Sequence, residues 1–136
     1  MASGFRTLSV PVAPDRIAPD GSQVRLLLAL ENGSMAHFTL SPGEISRAAV
    51  HRTVDEIWLF LAGHGQMWRR HVDHEETVAV GKDVCISLPV GTRFQFRCDG
   101  SEPLVAVGVT MPPWPGEAEA EVVAGPWAPR LRNGVP

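Results

Sequence analysis

Short apolar runs and turn residues alternate along most of the chain. Val24 to Leu30 is apolar except at Arg25, and is bounded by Asp20-Gly21-Ser22 and Glu31-Asn32-Gly33-Ser34. Met35 to Leu40 follows and stops at Ser41-Pro42-Gly43; the Asn32-Gly33 dipeptide between the two runs is a strong hairpin signal. Glu56 to Leu61 is closed by Gly63-His64-Gly65, and Gln66 to Arg70 leads into the charged turn Asp73 to Glu76. Thr77 to Val80 ends at Gly81-Lys82-Asp83, and Val84 to Leu88 at Pro89-Val90-Gly91. Arg93 to Arg97 ends at Asp99-Gly100-Ser101-Glu102-Pro103, and Leu104 to Thr110 at Met111-Pro112-Pro113. About eight strand-length runs at roughly ten-residue spacing predict an all-β sandwich or barrel. A doubly wound sheet needs intervening helical segments of about 10–15 residues, and the pattern contains none.

The two ends read differently from the middle. Residues 1–22 are rich in Pro and Asp and predict an extended arm with at most one edge strand. Residues 23–112 hold the barrel strands, and residues 113–136 form a Pro/Trp-rich strap anchored by Trp114 and Trp127. Within the strap, residues 117–122 have room for one helical turn between flanking prolines. Met111 to Gly116 reads either as a lid over an opening or as an ordinary strand-terminating turn.

With 136 residues the chain is the size of one domain, 44% apolar and 20% charged. There is no run of about 18 apolar residues, so a membrane helix is not expected. The first residues lack a basic stretch followed by an apolar core, which points to a cytoplasmic protein. A net charge of −3 argues against a nucleic-acid partner. Cys85 and Cys98 are equidistant from the turn Pro89-Val90-Gly91-Thr92, so a simple hairpin would set them face to face. They are expected to be small buried hydrophobes in a reducing compartment. Lys82, the only lysine, lies in a Gly-Lys-Asp turn and is discounted as a Schiff-base nucleophile.

The stretches Gly43 to Gly63 and Gly81 to Cys98 carry the chemistry. They resemble the two motifs of the cupin superfamily, G-x5-H-x-H-x3,4-E-x6-G and G-x5-P-x-G-x2-H-x3-N. Gly43, His51, Glu56 and Gly63 match the first motif, with Ala49 at the first histidine position. Gly81 and Pro89-Val90-Gly91 match the second if two more residues are allowed, with Phe94 at the histidine and Cys98 at the asparagine. The resemblance implies a double-stranded β-helix (jelly-roll) barrel and a homodimer. It also implies a divalent metal held by three histidines and the glutamate, of which this chain keeps His51 and Glu56. His37, on a neighbouring strand, is the candidate for a third nitrogen ligand if an ion binds. Two protein ligands hold a transition ion poorly against water, so no cofactor is the leading expectation and a divalent ion the alternative.

A period of two places Glu56, Trp58 and Phe60 on one strand face, and Phe94 and Phe96 on another. If the barrel closes as in cupins, these faces enclose an aromatic pocket with one carboxylate and one imidazole. Glu56 and His51 are then the candidate catalytic acid/base pair, and Trp58, Phe60, Phe94 and Phe96 the candidate substrate-binding wall. Arg47 and Arg52 flank His51 and read either as rim residues or as anchors for an anionic substrate. His64, His71 and His74 fall in or beside turns and read as solvated loop residues. The residues leave three functions open. One is a metal-independent isomerase, epimerase or cyclase acting on a small organic molecule. The second is a non-catalytic ligand-binding or sensing protein, and the third a metal-dependent oxygenase or sugar isomerase. Equally open is that Glu56 and His51 merely satisfy one another.

Overall fold

A computed structural model describes residues 4–132. Its strands are β1 (Arg16–Ile17), β2 (Gln23–Leu30), β3 (Gly33–Leu40), β4 (Ala48–His51), β5 (Asp55–Ala62) and β6 (His64–His71). β7 (His74–Gly81), β8 (Cys85–Leu88), β9 (Arg93–Cys98), β10 (Leu104–Met111) and β11 (Ala120–Val123) complete them. They form two antiparallel sheets, in the orders β1-β2-β3-β10-β5-β8 and β11-β4-β9-β6-β7. Among the described residues no helix is long and apolar enough to cross a membrane.

The core lies between the sheets because each strand alternates its faces. Along β5 the inward Glu56, Trp58 and Phe60 are buried, whereas Ile57, Leu59 and Leu61 are exposed on the outside. Phe94, Phe96 and Met67 close the core from the second sheet. Gln95 points out of that sheet yet is fully buried, because the strap covers it. Its amide donates to the carbonyls of Ser46 and Trp127 and accepts from Trp127 N. Arg97 stacks over the Trp127 ring at 4.5 Å, which ties this tryptophan to β9.

Several local expectations are corrected. The β2–β3 hairpin forms, but Leu30 pairs with Gly33, so the two-residue loop is Glu31-Asn32 and Gly33 begins the strand. There Gly33 is required for space, since a Cβ would come within 3.0 Å of the Thr110 carbonyl. Cys85 and Cys98 do not face each other: β8 pairs with β5, β9 pairs with β4 and β6, and only Cys98 is buried. Cys85 is exposed, not a core residue. Residues 117–119 make a single 3₁₀ turn, after which the strap becomes β11 and extends the second sheet alongside β4.

Candidate functional site

The residues of interest converge on a cavity of about 400 Å³ at one end of the barrel. β4 contributes Ala49 and His51, β5 contributes Glu56 and Trp58, and β9 contributes Phe94. Alternation turns these side chains inward, and the register sets Ala49 opposite Phe94. Phe38, Gly108 and Thr110 complete the wall from β3 and β10.

His51 Nδ1 lies 3.1 Å from Glu56 Oε1, with the two side chains only 11% and 1% exposed. The contact is at ion-pair distance but is not aligned as a hydrogen bond, which leaves Oε1 without a directed donor. The imidazole is wedged between rings, edge-on to Phe94 at 5.2 Å and to Trp114 at 4.9 Å. Trp58 stacks on Phe38 at 4.7 Å and meets Phe94 and Phe96 edge-on at 5.9 and 5.1 Å. Its Nε1 is buried with no acceptor among the described residues, beside Gly108 on the cavity wall.

The arm and the strap supply the rest. Residues 16–20 run along the cavity, and Asp20 enters its wall fully buried. Its Oδ1 accepts from Ser22 N at 2.9 Å and Ser22 Oγ at 2.7 Å. Burial raises the Asp20 carboxyl above its ordinary value, with the Glu56 charge adding to this; the Ser22 bonds and the His51 charge oppose it. Trp114 is pinned where its backbone N–H donates to Ser34 Oγ at 2.9 Å, and Ser34 Oγ is bonded to Thr110 Oγ1 at 2.7 Å. The segment from Pro113 to Glu117 therefore lies over the cavity. Asp20 and the rim residue Arg16 carry no site signal in the sequence, and Trp114 reads there as a strap anchor in a lid or turn rather than as a residue beside His51. They sit in Pro-rich segments with no periodicity to assign them a face.

Of the predicted site residues, His51, Glu56, Trp58 and Phe94 line the cavity. Phe60 and Phe96 are core residues behind the Trp58 indole and do not reach it. Arg47 and Arg52 are also outside the lining; Arg52 is exposed and lies 3.8 Å from Glu121. His37 sits on the other face of β3 from Phe38, opposite Arg25 in the register, and cannot serve as a third ligand beside His51. Burial, then the Arg25 charge, lowers its imidazole below the ordinary value.

The donor set does not fit the cupin metal. Ala49 and Phe94 occupy the other ligand positions, and neither has a donor atom. Among the described residues no three His, Cys, Asp or Glu side chains are grouped to hold an ion.

The sequence matches no protein-family model and none of the curated proteins. Solved structures do match. An uncharacterized protein with a double-stranded beta-helix domain from Klebsiella pneumoniae has a TM-score of 0.68 at 17% identity, over 90% of this chain and 100% of that one. Oxalate decarboxylase from Bacillus subtilis gives 0.67 at 18% identity, over 79% of this chain and 29% of that one. The capsular polysaccharide assembling protein CapF from Staphylococcus aureus gives 0.65 at 19% identity, over 78% of this chain and 33% of that one. The chain thus spans about a third of the length of the last two. At these identities the likeness is one of fold, and with the two-sheet topology it shows a double-stranded β-helix of the kind seen in these structures.

Proposed function

We propose that the chain binds a small organic molecule in the barrel cavity and that Glu56 and His51 move a proton on it. The observation that carries this reading is the 3.1 Å Glu56–His51 pair in the wall of a cavity of about 400 Å³. That volume lies within the usual range of about 300–1,000 Å³ for small-molecule pockets. A carboxylate with an undirected oxygen is placed to take a proton from carbon beside a carbonyl, the electron pair moving onto the carbonyl oxygen. His51, 3.1 Å from Glu56, can take over that proton once a small rotation aligns the two groups. The proton's return to a neighbouring carbon gives an isomer, and its return to the same carbon after the planar enolate has turned over in the cavity gives an epimer. No metal step enters.

Binding without turnover is the second reading, and the wedging of His51 between Phe94 and Trp114 favours it, since rings on two sides restrict the imidazole. One experiment separates the two: ¹H NMR in D₂O of compounds carrying a C–H beside a carbonyl, chosen by thermal-shift screening. Exchange of one carbon-bound hydrogen by the wild type, abolished in Glu56→Gln, supports proton transfer. A compound that occupies the cavity and never exchanges leaves the binding reading alone. A second copy of the chain remains the proposed partner. The exposed apolar side chains Ile57, Leu59 and Leu61 on the outer face of β5 support it, and sedimentation at micromolar concentration tests it.

A further inference from the structure

The cavity holds more buried acid than its own base can balance. Asp20 and Glu56 are 5% and 2% exposed, and no arginine or lysine pairs with either among the described residues. Arginine ion pairs are found elsewhere, for instance at Arg52–Glu121, Arg69–Glu76 and Arg97–Asp99. His51 lies 3.1 Å from Glu56, and its charge also acts on Asp20. Asp20 spends one oxygen on Ser22, and nothing among the described residues hydrogen-bonds the other. The charged rim side chains, Arg16 and Glu117, are both exposed and opposite in sign, so the buried acids set the character of the interior.

Four aromatic rings, Phe38, Trp58, Phe94 and Trp114, line the cavity with these acids, among aliphatic side chains such as Leu26, Leu28 and Met35. Ring faces attract cations within about 6 Å of their centroids, and carboxylates beside them add a full counter-charge. A buried carboxyl without a fixed cation is expensive to ionise, and a cationic ligand supplies the missing charge. An anionic ligand would meet two acids, and a neutral one would leave them uncompensated. The unpartnered Trp58 Nε1–H adds a demand for one acceptor on the ligand.

Resting on the cavity reading above, we propose that the ligand is a small organic cation. It is an amine or quaternary ammonium compound whose charged head sits by Asp20 and Glu56 against the Trp58, Phe94 and Trp114 rings. An oxygen acceptor elsewhere on the same molecule takes the Trp58 N–H.

Three isosteric probes test this by calorimetry on the full chain: choline, 3,3-dimethylbutan-1-ol and 3,3-dimethylbutanoate. They share a shape and differ in charge. Choline is expected to bind at least tenfold more tightly than either of the others. Asp20→Asn, which keeps the acceptor for Ser22, and Glu56→Gln are each expected to reduce that preference by tenfold or more, with unchanged near-ultraviolet circular dichroism. Equal or tighter binding of the neutral or anionic probe overturns the cation assignment and leaves the cavity reading standing. A choline preference that survives both substitutions overturns it too, since the charge would then be read elsewhere. No heat from any probe at 20 mM likewise overturns it, while the hydrogen-exchange experiment still decides the proton-transfer reading independently.

Discussion

Gly108 on β10 is register-paired with Trp58 on β5, so close that a Cβ on it would lie 2.8 Å from the indole Cδ1 and 3.0 Å from Nε1. Phe38 Cε2 would also be 3.0 Å away. The glycine is therefore what lets the indole lie along the cavity wall, stacked on Phe38. Gly108→Ala is expected to cost about 1–3 kcal/mol, the usual penalty for forcing a methyl into a packed interior. Urea denaturation measures it, and the displaced indole should change the near-ultraviolet circular dichroism. An unchanged midpoint would show that Trp58 has room to retreat.

The strands and the inward set Glu56, Trp58 and Phe94 were legible in sequence because alternation over β5 and β9 leaves one choice of face. Depth was not legible. Phe60 and Phe96 share the correct faces, but periodicity carries no information on which inward residues lie under the cavity and which lie behind Trp58. β4, Ala-Ala-Val-His, carries no strand signal, having four residues and one β-branched side chain; its pairing with β9 and β11 makes it a strand. Asp20 is the largest omission. A carboxylate beside Gly21 and Ser22 reads locally as a turn residue, and only the docking of the arm buries it.

Glu119 fastens the strap to the turn that follows His51. Its carboxylate accepts from Val54 N at 3.0 Å, Thr53 N and Thr53 Oγ1. Burial pushes this carboxyl upward, but the Thr53 and Val54 donors, with the His51 charge, hold it below the ordinary value of 4.5. A carboxyl lowered by folding stabilises the native state above pH 4.5, and that stability is lost as pH falls through the folded value. Glu119→Gln should therefore lose about 1–3 kcal/mol at pH 7, from hydrogen bonds to a charged acceptor. The gap from wild type should shrink below pH 4.5, read as the urea midpoint across pH. A gap independent of pH would place the effect in packing instead.

Val72 occupies the left-handed region at φ 58° in the tight β6–β7 turn, where His71 pairs with His74. A β-branched side chain is strained there, at about 1–2 kcal/mol, and this one is exposed and gains nothing from burial. Val72→Asn should raise stability by about 1 kcal/mol. Because the turn is outside the cavity lining, it should leave ligand binding unchanged. A stability loss would mean that Val72 covers apolar surface whose exposure outweighs the relief of strain.

If the donor set alone keeps a metal from this barrel, restoring it should bring one in. Ala49 and Phe94 are register partners on β4 and β9, both line the cavity, and they stand at the two motif positions where histidines are replaced. The double variant Ala49→His, Phe94→His would set three imidazoles and the Glu56 carboxylate around one point. Replacing phenylalanine by histidine conserves most of its volume, and the larger Ala49 side chain has the cavity to enter. The variant should retain about one divalent transition ion per chain after dialysis, measured by elemental analysis. Adding His51→Ala should weaken retention, because only three protein donors then remain. The ion should also raise the thermal midpoint, as any ligand confined to the folded state does. A folded double variant that leaves dialysis empty would mean that the backbone positions themselves have drifted from ligand geometry.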